Sequence, residues 1–268
     1  MAYLERDNGR VYYEDHGHGE RTVMLLHGWG MSMRVWDAVL LQLLEEGYRV
    51  VLMDHRGCGE SDKDFEDMSI GAIAGDSVAL TESLGLSGVV LNGWSLGAAV
   101  AVEAAHRLGD RCEGLVLTCG ASPIYTQKPD LPLGGTSDDM AATVQAMTED
   151  RITFLDGLSK AVCAKPVDAS LEHWMWRLFT QSSPRAIRTI AELDTLDQRT
   201  ILAGLALPIL SFVGGQDGFV APPICRWVGD NNPHARLVEM PECGHAPFIE
   251  EREQYLEELV AFLAGTNR

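Results

Sequence analysis

The chain reads as an α/β protein: a mostly parallel sheet of eight strands with helices on both faces. Three observations predict this. Short apolar, β-branched runs recur between longer amphipathic stretches, the pattern of buried strands joined by helical crossovers. At Gly93-Trp94-Ser95-Leu96-Gly97 a strand turns directly into an Ala-rich helix. The alternation breaks once, after residue 121, and resumes near residue 200. With 268 residues and 46% hydrophobic content, the chain can bury one large core carrying an insertion.

Taken in order, Leu4–Arg6 and Arg10–Glu14 flank Asp7-Asn8-Gly9, a hairpin signal for two antiparallel strands. Thr22–His27 is a buried strand running into Gly28-Trp29-Gly30, and Val35–Leu44 is an amphipathic helix stopped at Gly47. Arg49–Asp54 is the next strand, and Ser69–Leu84 a helix with Ile70, Ile73 and Leu84 on one face. Val89–Asn92 is the strand before the turn, and Ala98–Arg107 the helix behind it, free of Gly and Pro. Leu115–Cys119 is a sixth strand. From 122 to 199 the β pattern disappears: a Pro/Gly-rich loop over Thr126–Thr136 precedes helices over Asp138–Ala164 and Leu171–Leu193. Strands return at Pro208–Val213 and Arg236–Met240, and Tyr255–Leu263 closes the chain as a helix. Residues 1–121 and 200–268 thus form one core, and 122–199 a helical cap over the carboxyl edge of the sheet.

Composition excludes several classes. Thirty-nine acidic against twenty-one basic residues give a formal charge of −18, which repels nucleic acid and anionic membrane. The N-terminal Met1–Asp7 has no apolar stretch of a secretory signal. The uncharged run Ser83–Val102 is broken by four glycines and Asn92, so it reads as strand, turn and helix rather than a membrane span. Six scattered cysteines show no metal or C-x-x-C spacing, and indicate idle thiols of a cytoplasmic protein. Cys112 and Cys119, seven apart on one strand, face opposite sides and cannot pair.

Chemistry concentrates at the turn. A serine on so tight a corner projects its hydroxyl from the sheet, and small neighbours are needed for the chain to turn there. The pattern also arises by chance in a Gly-rich chain, so partners must exist elsewhere. A serine hydroxyl needs a base, and the base needs a carboxylate to orient it. Asp217, in Gly214-Gly215-Gln216-Asp217-Gly218 after the seventh strand, is the candidate acid, although an Asp there also stabilises a turn. His245, in the loop after the last strand, is the candidate base. The order Ser95, Asp217, His245 is that expected of a nucleophile-elbow fold. His27 reads as a buttress of its loop, and Asp54-His55-Arg56 as a structural turn network. No H-x-x-x-H or paired-carboxylate spacing supports a metal, and the chemistry calls for no cofactor.

Leu26-His27-Gly28-Trp29-Gly30, Asp54-His55-Arg56-Gly57-Cys58-Gly59-Glu60-Ser61, Gly93-Trp94-Ser95-Leu96-Gly97, Gly215-Gln216-Asp217 and Gly244-His245 together resemble the α/β-hydrolase superfamily. The resemblance implies an α/β-hydrolase fold with a cap, a Ser95-His245-Asp217 triad, and an oxyanion hole from the backbone N–H groups of Leu96 and Trp29. Within the superfamily, these motifs and His245-Ala246-Pro247-Phe248-Ile249 look most like the pimeloyl-acyl-carrier-protein methyl ester esterases. That resemblance implies a carboxylesterase for small ester substrates, including acyl methyl esters on a carrier protein. It puts Phe154, Leu155 and Leu158 of the cap on the acyl site, with the Trp29 indole as an apolar wall. Ordinary cap packing is the alternative for Phe154. Residues 122–200 hold eight Lys/Arg against eleven Asp/Glu, so a carrier would have to use a local patch such as Arg177, Arg185 and Arg188. Lactone, carbon–carbon or peracid chemistry on the same triad, or a ligand receptor on the same fold, are the other readings.

Overall fold

The computed structural model describes residues 2–266. Its strands are β1 (Ala2–Arg6), β2 (Gly9–His16), β3 (Thr22–Leu26), β4 (Arg49–Met53), β5 (Val89–Trp94), β6 (Cys112–Thr118), β7 (Ile209–Gly214) and β8 (Ala235–Met240). They form one sheet in the order β1-β2-β4-β3-β5-β6-β7-β8. Only β2 runs against its neighbours. All pairs from β4 to β8 are parallel, so those strands end at one common edge. This is the mostly parallel, eight-stranded arrangement expected from the alternation of apolar runs.

Alternation along each strand divides the core in two. Met24, Leu26, Val51, Met53 and Leu91 point into one cluster, under α2 (Ile70–Ser83) and α3 (Leu96–Leu108). Val23, Leu25, Val50, Leu52 and Val90 point into the other, under α1 (Asp37–Glu45) and the C-terminal α11 (Arg252–Gly265). Cys112 lies in the first cluster and Cys119 in the second, on opposite sides of β6, and all six cysteines are free thiols.

Between β6 and α8 (Arg199–Gly204) the chain forms α4 (Ser137–Glu149), α5 (Arg151–Ala161), α6 (Ala169–Thr180) and α7 (Ile187–Glu192). Its two ends are clasped together. Ser122 Oγ donates to Gln198 Oε1 at 2.7 Å, and the Gln198 N–H donates to the Pro123 carbonyl at 2.8 Å. Gln198 Nε2 also reaches the Ala99 carbonyl on α3 at 2.8 Å, fixing the clasp to the sheet layer. Four isolated residues in this segment make single β-bridges, Thr126 with Gly135 and Lys128 with Leu131.

Several boundaries differ from the sequence reading. The expected helix over Asp138–Ala164 is two helices, broken at Asp150, whose extended backbone (φ −146°) lets its carboxylate cap the Thr153 N–H at 3.1 Å. The expected helix over Leu171–Leu193 breaks after Thr180, where Ser183 and Pro184 start a single 3₁₀ turn before α7. Likewise Met33–Trp36 is a 3₁₀ turn leading into α1. A helix not assigned from the sequence, α9 (Pro222–Asn231), begins at Pro222-Pro223, since proline suits a first helical turn.

Beneath the sheet edge, Arg56 and Asp76 form a buried ion pair (2.6 Å) that also draws in Arg6 and Asp7. This joins the loop after β4 to α2 and to the β1–β2 turn, the structural network expected of Asp54-His55-Arg56. Asp54 itself accepts the Met33 N–H at 2.6 Å and the Glu60 N–H at 2.7 Å; burial nonetheless pushes its pKa up to about 6.

Candidate active site

Ser95 sits between the last residue of β5 and the first of α3 with φ 57° and ψ −123°, a left-handed conformation that costs a non-glycine residue energy. The surroundings enforce it. A Cβ on Gly93 would lie 2.2 Å from the Gly97 carbonyl oxygen, and one on Gly97 would lie 2.4 Å from the Leu26 carbonyl oxygen. Only glycine fits at either position. The turn is pinned by Ser95 N–H on the Thr118 carbonyl and Ala121 N–H on the Ser95 carbonyl, both 3.0 Å. Ser95 is the N-cap of α3, yet its hydroxyl makes no capping bond. The Leu96 N–H, at the first helical position, lies beyond the reach of the helix's own carbonyls.

His245 and Asp217 arrive from the ends of β8 and β7. His245 Nδ1 and Asp217 Oδ2 are 2.8 Å apart, and both side chains are almost wholly buried. The other carboxylate oxygen of Asp217 accepts the N–H groups of Phe219 (2.8 Å) and Val220 (3.0 Å), which holds the acid in one orientation. The bland turn role and the partner role of Asp217 therefore coexist. Cys119, Asp217 and His245 offer ligand atoms within 4.8 Å of one another, but two of those atoms are already spent on the bond between them. Two other acids, Asp194 and Asp197, which precede the seventh strand, are engaged elsewhere: Asp197 pairs with Arg199, and the Asp194 carbonyl accepts from Thr126 and Lys128.

Trp29 follows β3. Its indole N–H donates to the Ala186 carbonyl at 2.8 Å, and its ring packs against Phe179, so the side chain is tethered to the helical segment. Gly28 lies against Ser95: a Cβ there would be 3.3 Å from the Ser95 Cβ. His27 is fully buried, stacked on His55 at 3.9 Å, and burial pushes its pKa down to about 4. It buttresses this loop, as expected from its place at a strand end.

A cavity of about 270 Å³ contains Ser95 and His245 with the Gly28-Trp29 loop and Leu96. Phe154 and Leu158 line it from α5. Leu155 does not: it is fully buried in the apolar core with Met175, Leu178 and Phe179, because a residue one step along a helix from Phe154 faces about 100° away.

Other contributors were not legible as site residues. The Trp94 indole donates to the His245 carbonyl at 2.7 Å, and the His245 N–H donates to Val162 of the helical segment at 3.0 Å. Glu250 accepts the Gly244 N–H at 2.9 Å, and Phe219 packs on the His245 ring at 5.0 Å. Tyr125, Ile190 and Leu193 complete much of the cavity wall. Trp94 could have been suspected from its place beside Ser95; the remainder are brought in only by long-range folding.

Sheet order, elbow and late histidine define an α/β hydrolase, and the chain belongs to that family: the α/β-hydrolase fold model matches residues 21–252. Among its relatives is the pimeloyl-[acyl-carrier protein] methyl ester esterase of Pectobacterium atrosepticum, 30% identical over 261 residues, covering 94% of this chain and 98% of the relative. Among solved structures, an esterase from Exiguobacterium antarcticum matches at 29% identity and a TM-score of 0.92, covering 96% of each chain. A bromoperoxidase from Bacillus anthracis matches at 28% identity and 0.91, again over 96% of each chain. No helix among the described residues is long and apolar enough to cross a membrane.

Proposed function

We propose that the chain is a cofactor-free serine carboxylesterase. The observation that carries this reading is the convergence of a strained, uncapped Ser95 and a His245–Asp217 pair on one apolar cavity. In this reading Ser95 Oγ attacks the ester carbonyl carbon while His245 Nε2 takes its proton. Asp217 stays ionised, keeps the imidazole proton on Nδ1 and stabilises the imidazolium. The N–H groups of Leu96 and Trp29 hold the tetrahedral oxyanion. His245 then protonates the departing alkoxide, leaving an acyl-Ser95. Water, deprotonated by His245, releases the acid and restores Ser95.

Residues 122–199 act as a cap, with Phe154, Leu158 and the Trp29 ring forming the apolar wall around the acyl or alkoxy group. Methyl esters of medium-length acyl chains are the substrates we infer, supported by the relatives that act on a pimeloyl-carrier methyl ester. Six unpaired thiols favour the cytoplasm.

The test is Ser95→Ala. Triad members act as one unit, so kcat should fall by about four orders of magnitude with the fold intact. A fluorophosphonate probe should label Ser95 alone; substantial turnover by the variant, or labelling of another serine, would refute the reading.

A second reading is favoured by the similarity to a bromoperoxidase: hydrogen peroxide in place of water could take the acyl group from Ser95 and leave as a peracid. Both reactions share the acyl-enzyme, so the ratio of peracid to acid formed at fixed peroxide separates them.

A further inference from the structure

Next to the catalytic cavity lies a second, of about 340 Å³, with Tyr125, Thr143, Gly218 and Phe219 lining both. The two spaces therefore adjoin along these four residues, the second on the side away from Ser95. Their chemistry differs. The inner compartment is walled by Trp94, Phe154, Leu158, Phe179 and Ile190, and so takes an apolar chain. The outer is more polar, lined by Thr126, Thr136, Asp139 and Asp217 with Gly134 and Gly135 at the start of α4, beside Met140, Ala221 and Pro222.

Most polar atoms of the outer compartment are already satisfied. Thr126 Oγ1 donates to the Asp194 carbonyl at 2.9 Å, and Thr143 Oγ1 to the Asp139 carbonyl at 2.9 Å. Thr136 Oγ1 donates to Asp139 Oδ2 at 2.7 Å and accepts the Asp139 N–H at 3.1 Å. What remains is charge. The Asp139 carboxylate is exposed at the mouth, and its bonds from Thr136 hold it below the usual carboxylate range, hence ionised. Neither compartment is lined by a lysine or arginine. Lys128, the cation closest in sequence, directs its Nζ to the Asp194 carbonyl at 2.7 Å and to Thr126 Oγ1 at 3.5 Å. The positive end of α4, which would otherwise attract an anion, is answered by Asp138 and Asp139 in its own first turn.

We propose that this outer compartment is a distal subsite for the esters attacked at Ser95, and that it selects substrates whose far end is uncharged or cationic over those ending in a free carboxylate. The inference rests on the esterase reading. An apolar chain fills the inner space, and its far end emerges between Tyr125 and Phe219 to meet the exposed Asp139 carboxylate, while the nearby Lys128 ammonium is turned to the Asp194 carbonyl. The charge of −18 on the whole chain adds to the same bias.

The experiment compares dimethyl and monomethyl esters of one medium-length dicarboxylic acid, with p-nitrophenyl acetate as a short reference. Wild type, Asp139→Asn and Gly135→Leu are assayed at low and high salt. Gly135 suits a filling variant because a Cβ there meets nothing closer than Asp139 Oδ2 at 3.5 Å. Per ester group, kcat/KM should favour the diester by about fivefold or more at low salt, and added salt should narrow the gap. Asp139→Asn should narrow it as well, by rescuing the monoester. Gly135→Leu should lower the rate on the diester relative to p-nitrophenyl acetate. Equal rates on the two dicarboxylate esters, unmoved by salt or by either variant while p-nitrophenyl acetate is turned over, would overturn the subsite. Failure to hydrolyse any ester would overturn the esterase reading itself.

Discussion

The Nδ1 of His27 lies 2.7 Å from the carbonyl oxygen of Gly28, while the opposite ring nitrogen accepts the His55 N–H at 2.9 Å. An acceptor on one side requires the proton on the other, so the ring is neutral and donates to Gly28. Gly28 C=O and Trp29 N–H share one rigid peptide and point opposite ways. By holding the carbonyl on the core side, His27 orients the N–H that we assign to the oxyanion.

Acid should therefore strike this loop first. The His27 pKa falls from about 6.5 when unfolded to about 4 in the fold. Between those values the unfolded chain binds the extra proton, so stability is present above pH ~6.5 and is lost as the pH falls towards 4, by ~3 kcal/mol in full. Buried His55 is shifted the same way. Urea unfolding of wild type and His27→Leu from pH 7 to pH 4 checks this: the variant should lose part of the pH slope. An unchanged slope would show that His27 titrates normally.

Asp217→Asn should cost about 10⁴ in kcat, because an amide can leave the imidazole in the wrong tautomer. Asp194→Asn and Asp197→Asn should remain near wild type, since neither side chain contacts His245 and Asp197 is engaged with Arg199. Steady-state kinetics on p-nitrophenyl esters rank the three, and the reverse order would refute the assignment of the acid.

Trp29→Ala removes the indole but keeps the backbone donor. Loss of a whole oxyanion donor costs roughly 10²–10³ in kcat, and this variant should lose less than that on short esters. It also breaks the bond to Ala186 that ties the loop to the helical segment, so the preferred ester size should shift upward. A panel of p-nitrophenyl esters of rising chain length reads both effects, and a loss beyond that range would mean the side chain itself takes part in chemistry.

Arg177, Arg185 and Arg188 are exposed on the helical segment, and Arg185 pairs with the exposed Asp64 at 3.5 Å. Pairs this exposed are weak and salt-screened, so the guanidinium groups are available to an acidic partner. If acyl groups arrive on a carrier protein, reversing the three to Glu should raise KM for the carrier ester at low salt and leave the free methyl ester untouched. Equal rates on free and carrier-linked esters, indifferent to these charges, would identify a general small-ester carboxylesterase.

Local sterics and hydrophobic period account for what could be read from the chain alone. Two-residue alternation fixes which side of the sheet Met24 and Leu25 face, and glycines at 93 and 97 permit the corner that exposes Ser95. Parallel strands then bring the loops after β3, β5, β7 and β8 to one edge, which is why Ser95, Asp217 and His245 could be proposed as partners from their order along the chain. Helix ends at Asp150 and Thr180 were not, since a capping side chain or a 3₁₀ turn leaves little trace in hydrophobic period. Only tertiary structure decided that Val162 holds the His245 N–H, that Trp94 holds its carbonyl, and that Phe154 and Leu158 line the cavity while Leu155 is core. The contacts of Val162, Phe154, Leu155 and Leu158 depend on how the inserted helices pack on the sheet, held in part by the Ser122–Gln198 clasp, and the Trp94–His245 bond on the meeting of the loops after β5 and β8.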